Sequence, residues 1–386
     1  MAKAEDEADR ARKGTQKQDP FEGSEPMVDT PPTAGGGDGD EQPHFLAGLW
    51  KPIDPALVAN PPRRDWLLTR IDDATNAERG VIPRGKSCCL AAPGGTGKTT
   101  AICQLALAVA ANSAWFEWPT HPRSGRVLML LGEEDEGEVA RKMRTASESM
   151  VLGRDRLATA LGKIVAIPLA GVAENVALAT GQSGQINRSA LGQQVDDMLH
   201  KDGEWDLVII DPMSRFSDAE TEKDNYAATR FVQIIEGFTK APGNPTVLVT
   251  AHSSQQSTRE GKPGVRGVTG LVDGFRFVMG MAPMRAGKWS GATLSWIKSN
   301  YSPRFPDTTL LFDEGGYGAA LRKATKAEAA EIDAAVKDQE EEEKQARAEA
   351  TKRFRARRVK GSEATNPPAG NGTDTKNKVP NTIDKL

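Results

Sequence analysis

The chain has 386 residues, a net charge of −3 and a hydrophobic fraction of 38%, enough for one large domain or two modest ones. No apolar run approaches the roughly 18 residues a membrane span needs, and the near-neutral charge excludes a surface that binds nucleic acid broadly. Three cysteines, two of them adjacent, exclude a disulfide framework and suit reduced thiols in the cytoplasm.

Residues 1–45 hold 5 Lys/Arg against 11 Asp/Glu, with Pro31-Pro32 and Gly35-Gly36-Gly37 among them. Such a stretch buries too little apolar surface to offset its ordering entropy, so an acidic disordered tail is expected, and it lacks the apolar core of a secretory signal. Residues 46–323 read as one domain. Short apolar strands alternate there with helical patterns, which predicts βαβ units and a mainly parallel sheet.

The first buried strand is Ser87–Ala92. It runs into Pro93-Gly94-Gly95-Thr96-Gly97-Lys98-Thr99-Thr100 and then an apolar helix over 101–110. This is the phosphate-loop pattern G-x-x-x-x-G-K-[ST], with Ala92 in place of its first glycine. Backbone N–H groups of a glycine-rich turn converge on phosphates that side chains would block. Lys98 supplies charge to the β/γ-phosphates of ATP, and the Thr99 hydroxyl can ligate Mg²⁺. The following helix points its positive end at the anion.

Next come a strand over Val127–Leu131, Gly132 and the acidic run Glu133–Glu136, which opens a helix. Glu133, nearest the strand end, is placed to orient or deprotonate an attacking water. Asp135 and Glu136 suit the helix N-terminus. A strand over 164–168 and a helix near 190–200 follow. Then Leu207–Ile210 ends in Asp211, the Walker B arrangement, in which the carboxylate helps hold Mg²⁺ beside the phosphate-loop hydroxyl. A helix near 225–238 leads to the strand Thr246–Ala251, and His252 sits at its end. In open parallel sheets ligands lie outside the carboxyl ends of the strands, so these polar residues converge on one site. The polar segment Ser253–Gly267 carries Arg259, Lys262 and Arg266; a mobile surface loop and a set of nucleic-acid phosphate contacts both fit it. Residues 324–360 read as a charged helical extension, with Glu340–Glu343 followed by a basic cluster at 352–360. Residues 361–386 are Asn-, Pro- and Gly-rich and expected to be disordered.

From about Pro61 to Lys323 the chain resembles the plasmid- and phage-encoded RepA-type helicases, a branch of the RecA-like ATPases. The resemblance rests on Arg84-Gly85-Lys86 leading into AAPGGTGKTT, on VLMLLGEEDEGEVAR (127–141) and on DLVIIDPMSRF (206–216). It continues through AHSS (251–254), RGVTGLVDGFRF (266–277) and IKSNYSP (297–303). It implies an α/β fold: a RecA-like P-loop core with a mainly parallel sheet flanked by helices, plus C-terminal antiparallel strands. It also implies a homo-oligomeric, hexameric ring with ATP between subunits. His252 would then sense the γ-phosphate, although relatives often have two histidines there. Arg276 would be an arginine finger reaching a neighbour's ATP, and Lys298 a second trans-acting cation. Arg259, Lys262 and Arg266 would line the channel and grip single-stranded DNA. The activity implied is an ATP-dependent, 5′→3′ replicative DNA helicase using Mg-ATP, with a primase or initiator protein as a partner. A RecA-like recombination or repair ATPase, and a non-motor ATP-gated DNA-binding protein, are the competing readings.

Overall fold

Apolar runs buried on both faces put a parallel sheet at the centre of this chain, with helices above and below it. The computed structural model describes residues 51–363 apart from 73–74, 122–124, 173, 183–184, 219–220, 222, 254–268 and 314–319. The chain divides into two units, up to Pro62 and from Arg63. The described part of the first holds a short helix, α1 (Pro55–Ala59). Asp54 caps it, accepting the Ala56 N–H at 2.9 Å.

The second unit opens with the antiparallel pair β1 (Trp66–Ile71) and β2 (Glu78–Pro83), followed by β3 (Ser87–Ala92) and helix α2 (Lys98–Ala111). A small hairpin, β4 (Ala114–Trp115) and β5 (Trp118–Pro119), leads to β6 (Val127–Leu131), α3 (Glu136–Ser149), α4 (Arg154–Leu161) and β7 (Ile164–Pro168). A second hairpin, β8 (Ala179–Gln182) and β9 (Gln185–Arg188), precedes α5 (Ala190–Lys201) and β10 (Leu207–Asp211). Helices α6 (Met213–Phe216) and α7 (Asn225–Phe238) lead to β11 (Thr246–His252) and α8 (Thr269–Gly274). The chain then runs through β12 (Phe277–Ala286), β13 (Trp289–Ser299), β14 (Thr308–Asp313) and β15 (Ala320–Lys323) into α9 (Lys326–Glu363).

Nine of these strands form one sheet in the order β15-β14-β13-β12-β3-β11-β10-β6-β7. From β12 to β7 all neighbours are parallel, while β13, β14 and β15 continue the sheet antiparallel. The α/β fold with C-terminal antiparallel strands is therefore the one the sequence implies, and it fits a RecA-like P-loop core. Among the described residues no helix is long and apolar enough to cross a membrane.

Period-two alternation divides the core between the two faces. Cys88, Leu90 and Ala92 of β3, with Leu207 and Ile209 of β10, pack on the α2 side, whereas Cys89, Val208 and Ile210 pack with α5 and α7 on the other. Continuous apolar runs are what a strand covered on both faces requires. Helix α2 is buried at every position from Ala101 to Ala110, which its small residues allow. Burial pushes the thiols of Cys88, Cys89 and Cys103 upward, the last two to about 12. They stay protonated and act as small apolar groups.

One buried polar residue ties the two halves of the sheet together. Gln104, inside α2, donates from Nε2 to the Leu321 carbonyl at 2.7 Å, and its Oε1 accepts the Leu321 N–H at 3.3 Å. The amide satisfies itself against strand β15, so its burial costs little. At the far end, α9 starts with a reciprocal cap. Thr325 N donates to Glu328, Glu328 N donates to Thr325 Oγ1, and Arg322 grips Glu328 with two bonds of 2.8 Å. These bonds, the Arg322 pair first, hold the Glu328 carboxyl down at about 2. Ile332 anchors the helix against Met284, Ala286 and Leu311, and most of its remaining length is exposed.

Candidate functional site

The carboxyl ends of the central strands line up. Ala92 pairs with His252, and Leu131 with Asp211. Four side chains converge there because parallel register delivers them to the same level.

The turn from β3 into α2 has Gly95 at φ +75° and Gly97 at φ +84°, a region that side chains rarely adopt. Thr96 Oγ1 donates to the Pro93 carbonyl at 2.9 Å and closes the turn. A Cβ placed on Gly94 or Gly95 would meet nothing within 4 Å, so the turn faces open space. That space is a cleft of about 440 Å³, lined by the turn, Glu133, Glu134, Lys142, His252 and Phe312. A hollow of about 700 Å³ lined by Arg70, Trp118, Thr293 and Asp333 is larger, but no helix starts on a glycine turn there.

At the floor of the cleft Asp211 is 3% exposed. An isolated carboxylate would not stay ionised there at acceptable cost. It is met by Lys98 Nζ at 3.4 Å from Oδ1, by Thr99 Oγ1 donating to Oδ2 at 3.1 Å, and by Thr250 Oγ1 donating to Oδ1. Hydroxyl and carboxylate are the hard oxygen donors that suit Mg²⁺. Among the described residues no three His, Cys, Asp or Glu side chains gather to hold a metal alone. A cation here would need the phosphates of a nucleotide, which is the usual habit of Mg²⁺.

The two adjacent carboxylates after β6 are held differently. Glu134 is 13% exposed and bonded to Lys142 Nζ at 2.9 Å. Glu133 is 45% exposed, and its partner Arg215 lies at 3.5 Å. Gly132 makes the Arg215 approach possible, since a Cβ there would lie 2.6 Å from the Arg215 Cβ. Asp135 accepts the Glu138 N–H at 2.8 Å and is the N-cap of α3, with Glu136 in its first turn.

A family model described as an AAA domain matches residues 54–258, more than half of the chain. The chain belongs to this AAA domain family. It is therefore a P-loop ATPase-type domain, a kind of domain that binds nucleotide. A comparison with curated proteins gave no match. The span shared with the AAA family model covers the phosphate loop, Glu133, Asp211 and His252 and stops before β12.

The sites read from the sequence thus fall into three groups. Pro93 to Thr100, Glu133, Asp211 and His252 meet in or beneath the cleft of this AAA domain. Arg276 and Lys298 do not join them. Phe277 pairs with Cys88 at the start of β3, and Ser299 pairs with Phe277. Both cations therefore sit at the opposite, amino end of the parallel strands. Arg276 Nε binds Glu236 at 3.0 Å, and Lys298 Nζ donates to the carbonyls of Val272 at 3.1 Å and Asp273 at 2.6 Å. Desolvation, and secondarily Arg276, lowers the Lys298 pKa against the pull of Asp273. Arg259, Lys262 and Arg266 lie outside the described residues, as do 1–45 and 364–386.

Sequence reasoning missed Thr250, Lys142 and Phe312. Thr250 left a signal: a hydroxyl near the carboxyl end of an apolar strand, two residues before His252 and so on the same face. Lys142 reads as one more cation of an exposed helix. Phe312 arrives from a strand more than 200 residues away.

Proposed function

We propose that the chain is an ATP-driven DNA helicase of the RepA type, assembling into a hexameric ring that translocates 5′→3′ on single-stranded DNA in replication. What supports this beyond the P-loop ATPase assignment is the pairing of Arg276 and Lys298 at the sheet end far from their own phosphate loop. Cations so placed serve a nucleotide only if a second copy brings its cleft to them, and a head-to-tail ring does that. The resemblance names the same two residues.

In this reading the Thr96–Thr100 backbone and Lys98 hold the β- and γ-phosphates, and Thr99 and Asp211 hold Mg²⁺, which neutralises charge on the transferred phosphoryl group. Glu133 orients the water and accepts its proton. His252, at the end of β11 between the cleft and the segment that follows, reports the γ-phosphate to Arg259, Lys262 and Arg266. Those three grip the backbone of the strand, not its bases. A primase or initiator protein would load or accompany the ring.

The test is a strand-displacement assay with 5′- and 3′-tailed duplexes, run beside negative-stain imaging with an ATP analogue and oligonucleotide. Closed rings and unwinding from the 5′ tail are expected. Filaments with strand pairing would favour a recombination ATPase. DNA binding without turnover would favour an ATP-gated switch.

A further inference from the structure

The order of the strands gives the nucleotide cleft a direction. His252, Asp211 and Glu133 come from β11, β10 and the end of β6, all on one side of β3. Phe312 comes from β14, on the other side of β3. A triphosphate seated on the loop after β3 therefore has its reactive end toward the first group, and the nucleoside is left toward Phe312. Phe312 is the one large apolar side chain among the described residues lining the cleft, and it is only half-buried.

Its position is well determined. A Cβ on Gly97 would lie 3.1 Å from the Phe312 ring and 3.2 Å from Leu321, so both side chains press against the phosphate loop. Phe312 pairs with Leu321 in the β14–β15 ladder. Leu321 is held by the two hydrogen bonds from Gln104 of α2. The helix that starts at the phosphate loop thus clamps the strand pair that delivers the ring, which fixes the ring relative to the phosphates.

We infer that Phe312 is the platform on which the nucleobase stacks, and that it recognises a planar heteroaromatic base by its face alone. This rests on the ATPase reading of the same cleft. A phenyl ring has no hydrogen-bond donor or acceptor to read base edges, so the cleft accepts adenine and guanine nucleotides with similar affinity. Gln104 is a positioning residue for the platform.

The experiment is calorimetric binding of ATP, GTP and inorganic tripolyphosphate to the full chain and to Phe312→Leu and Phe312→Tyr. Leucine keeps apolar packing on Gly97 and removes the stacking face; tyrosine keeps that face. Base–aromatic stacking implies a loss of roughly 5- to 150-fold in ATP and GTP affinity for Phe312→Leu. Tripolyphosphate affinity should stay unchanged, and Phe312→Tyr should retain wild-type nucleotide affinity. Unchanged tripolyphosphate binding also serves as the folding control. Phe312→Leu binding ATP as the wild type does would overturn the platform alone, and so would equal losses for ATP and tripolyphosphate, which mean a role in loop shape. A wild-type chain that binds none of the three ligands would remove the ATPase reading and the platform with it.

Discussion

The two ends of the parallel strands carry charge in opposite ways. At the carboxyl end the groups satisfy one another within one chain: buried Lys98 and Thr250 and half-buried Thr99 all address Asp211, and the glycine turn beside them opens on empty space. At the amino end Arg276 is 43% exposed and, among the described residues, pairs with one carboxylate, Glu236. Lys298 is held by carbonyl oxygens and faces no nucleotide cleft of its own. A balanced buried cluster is built around a ligand its own chain binds. The half-buried cations at the other end bind groups of their own chain, and in the proposed ring they would meet a second copy.

That contrast is most strongly tested by one substitution at each end. Lys98→Ala should reduce ATP turnover at least about 10³-fold and also destabilise the chain by about 3 kcal/mol, because Asp211 is left buried without its counter-charge. Arg276→Ala should reduce turnover by a comparable factor, about 10³-fold or more for a trans finger. It should cost less than about 1 kcal/mol of stability, since its ion pair is exposed. Thermal denaturation read beside turnover checks both. Equal stability losses at the two ends would dissolve the comparison.

Mixing sharpens it. Arg276→Ala and Glu133→Gln are each expected to be nearly inactive, the first through its neighbour's site and the second through its own. In mixed rings some interfaces regain an intact Glu133 facing an intact Arg276, so hydrolysis should return as a function of mixing ratio. A flat curve in rings shown by mass spectrometry to be mixed would remove the trans role of Arg276.

Within the carboxyl end, the smaller question is which of two adjacent carboxylates serves the water. Glu134 is nearly buried and tied to Lys142, whereas Glu133 is open to solvent and loosely held by Arg215. Glu133→Gln should lower turnover about 10²- to 10⁴-fold with ATP binding retained. Glu134→Gln should act mainly through Lys142 and cost less. The reverse order, in single-turnover assays, would exchange their roles.

How far the sequence could lead follows the same division. The strand ends at Ala92, Leu131, Asp211 and His252 were legible, because each is an apolar run closed by a proline-glycine turn, a glycine or a polar residue, and parallel register does the rest. Asp135 was legible as a helix-start residue and is the cap. The hairpins at Trp66–Pro83 and Ala179–Arg188 were not, since short half-exposed strands lack a run long enough to register. Nor was the contact of Phe312 and Leu321 with Gly97, which depends on a sheet order that no local pattern encodes. Arg276 reads in isolation as a surface arginine, and only resemblance singled it out.

Lys298 gives the finest test. Its ammonium already donates to two carbonyls of α8, so part of its function is to hold that helix against β13. Removing a hydrogen-bonded charge of this kind costs about 1–3 kcal/mol. Lys298→Met should therefore lower the melting temperature slightly while leaving the nucleotide cleft of its own chain intact. Because desolvation lowers its pKa, the charge is lost at a lower pH than for a free lysine, and the folded chain takes up the neutral form more readily than the unfolded one. If Lys298 acts in trans, wild-type turnover should fall on the alkaline side as the ammonium loses its proton. Lys298→Arg, which stays charged, should then flatten that limb, and Lys298→Met should be low throughout. An alkaline limb identical in wild type and Lys298→Arg would leave Lys298 as a structural tether for α8, and Arg276 as the sole trans cation at that end.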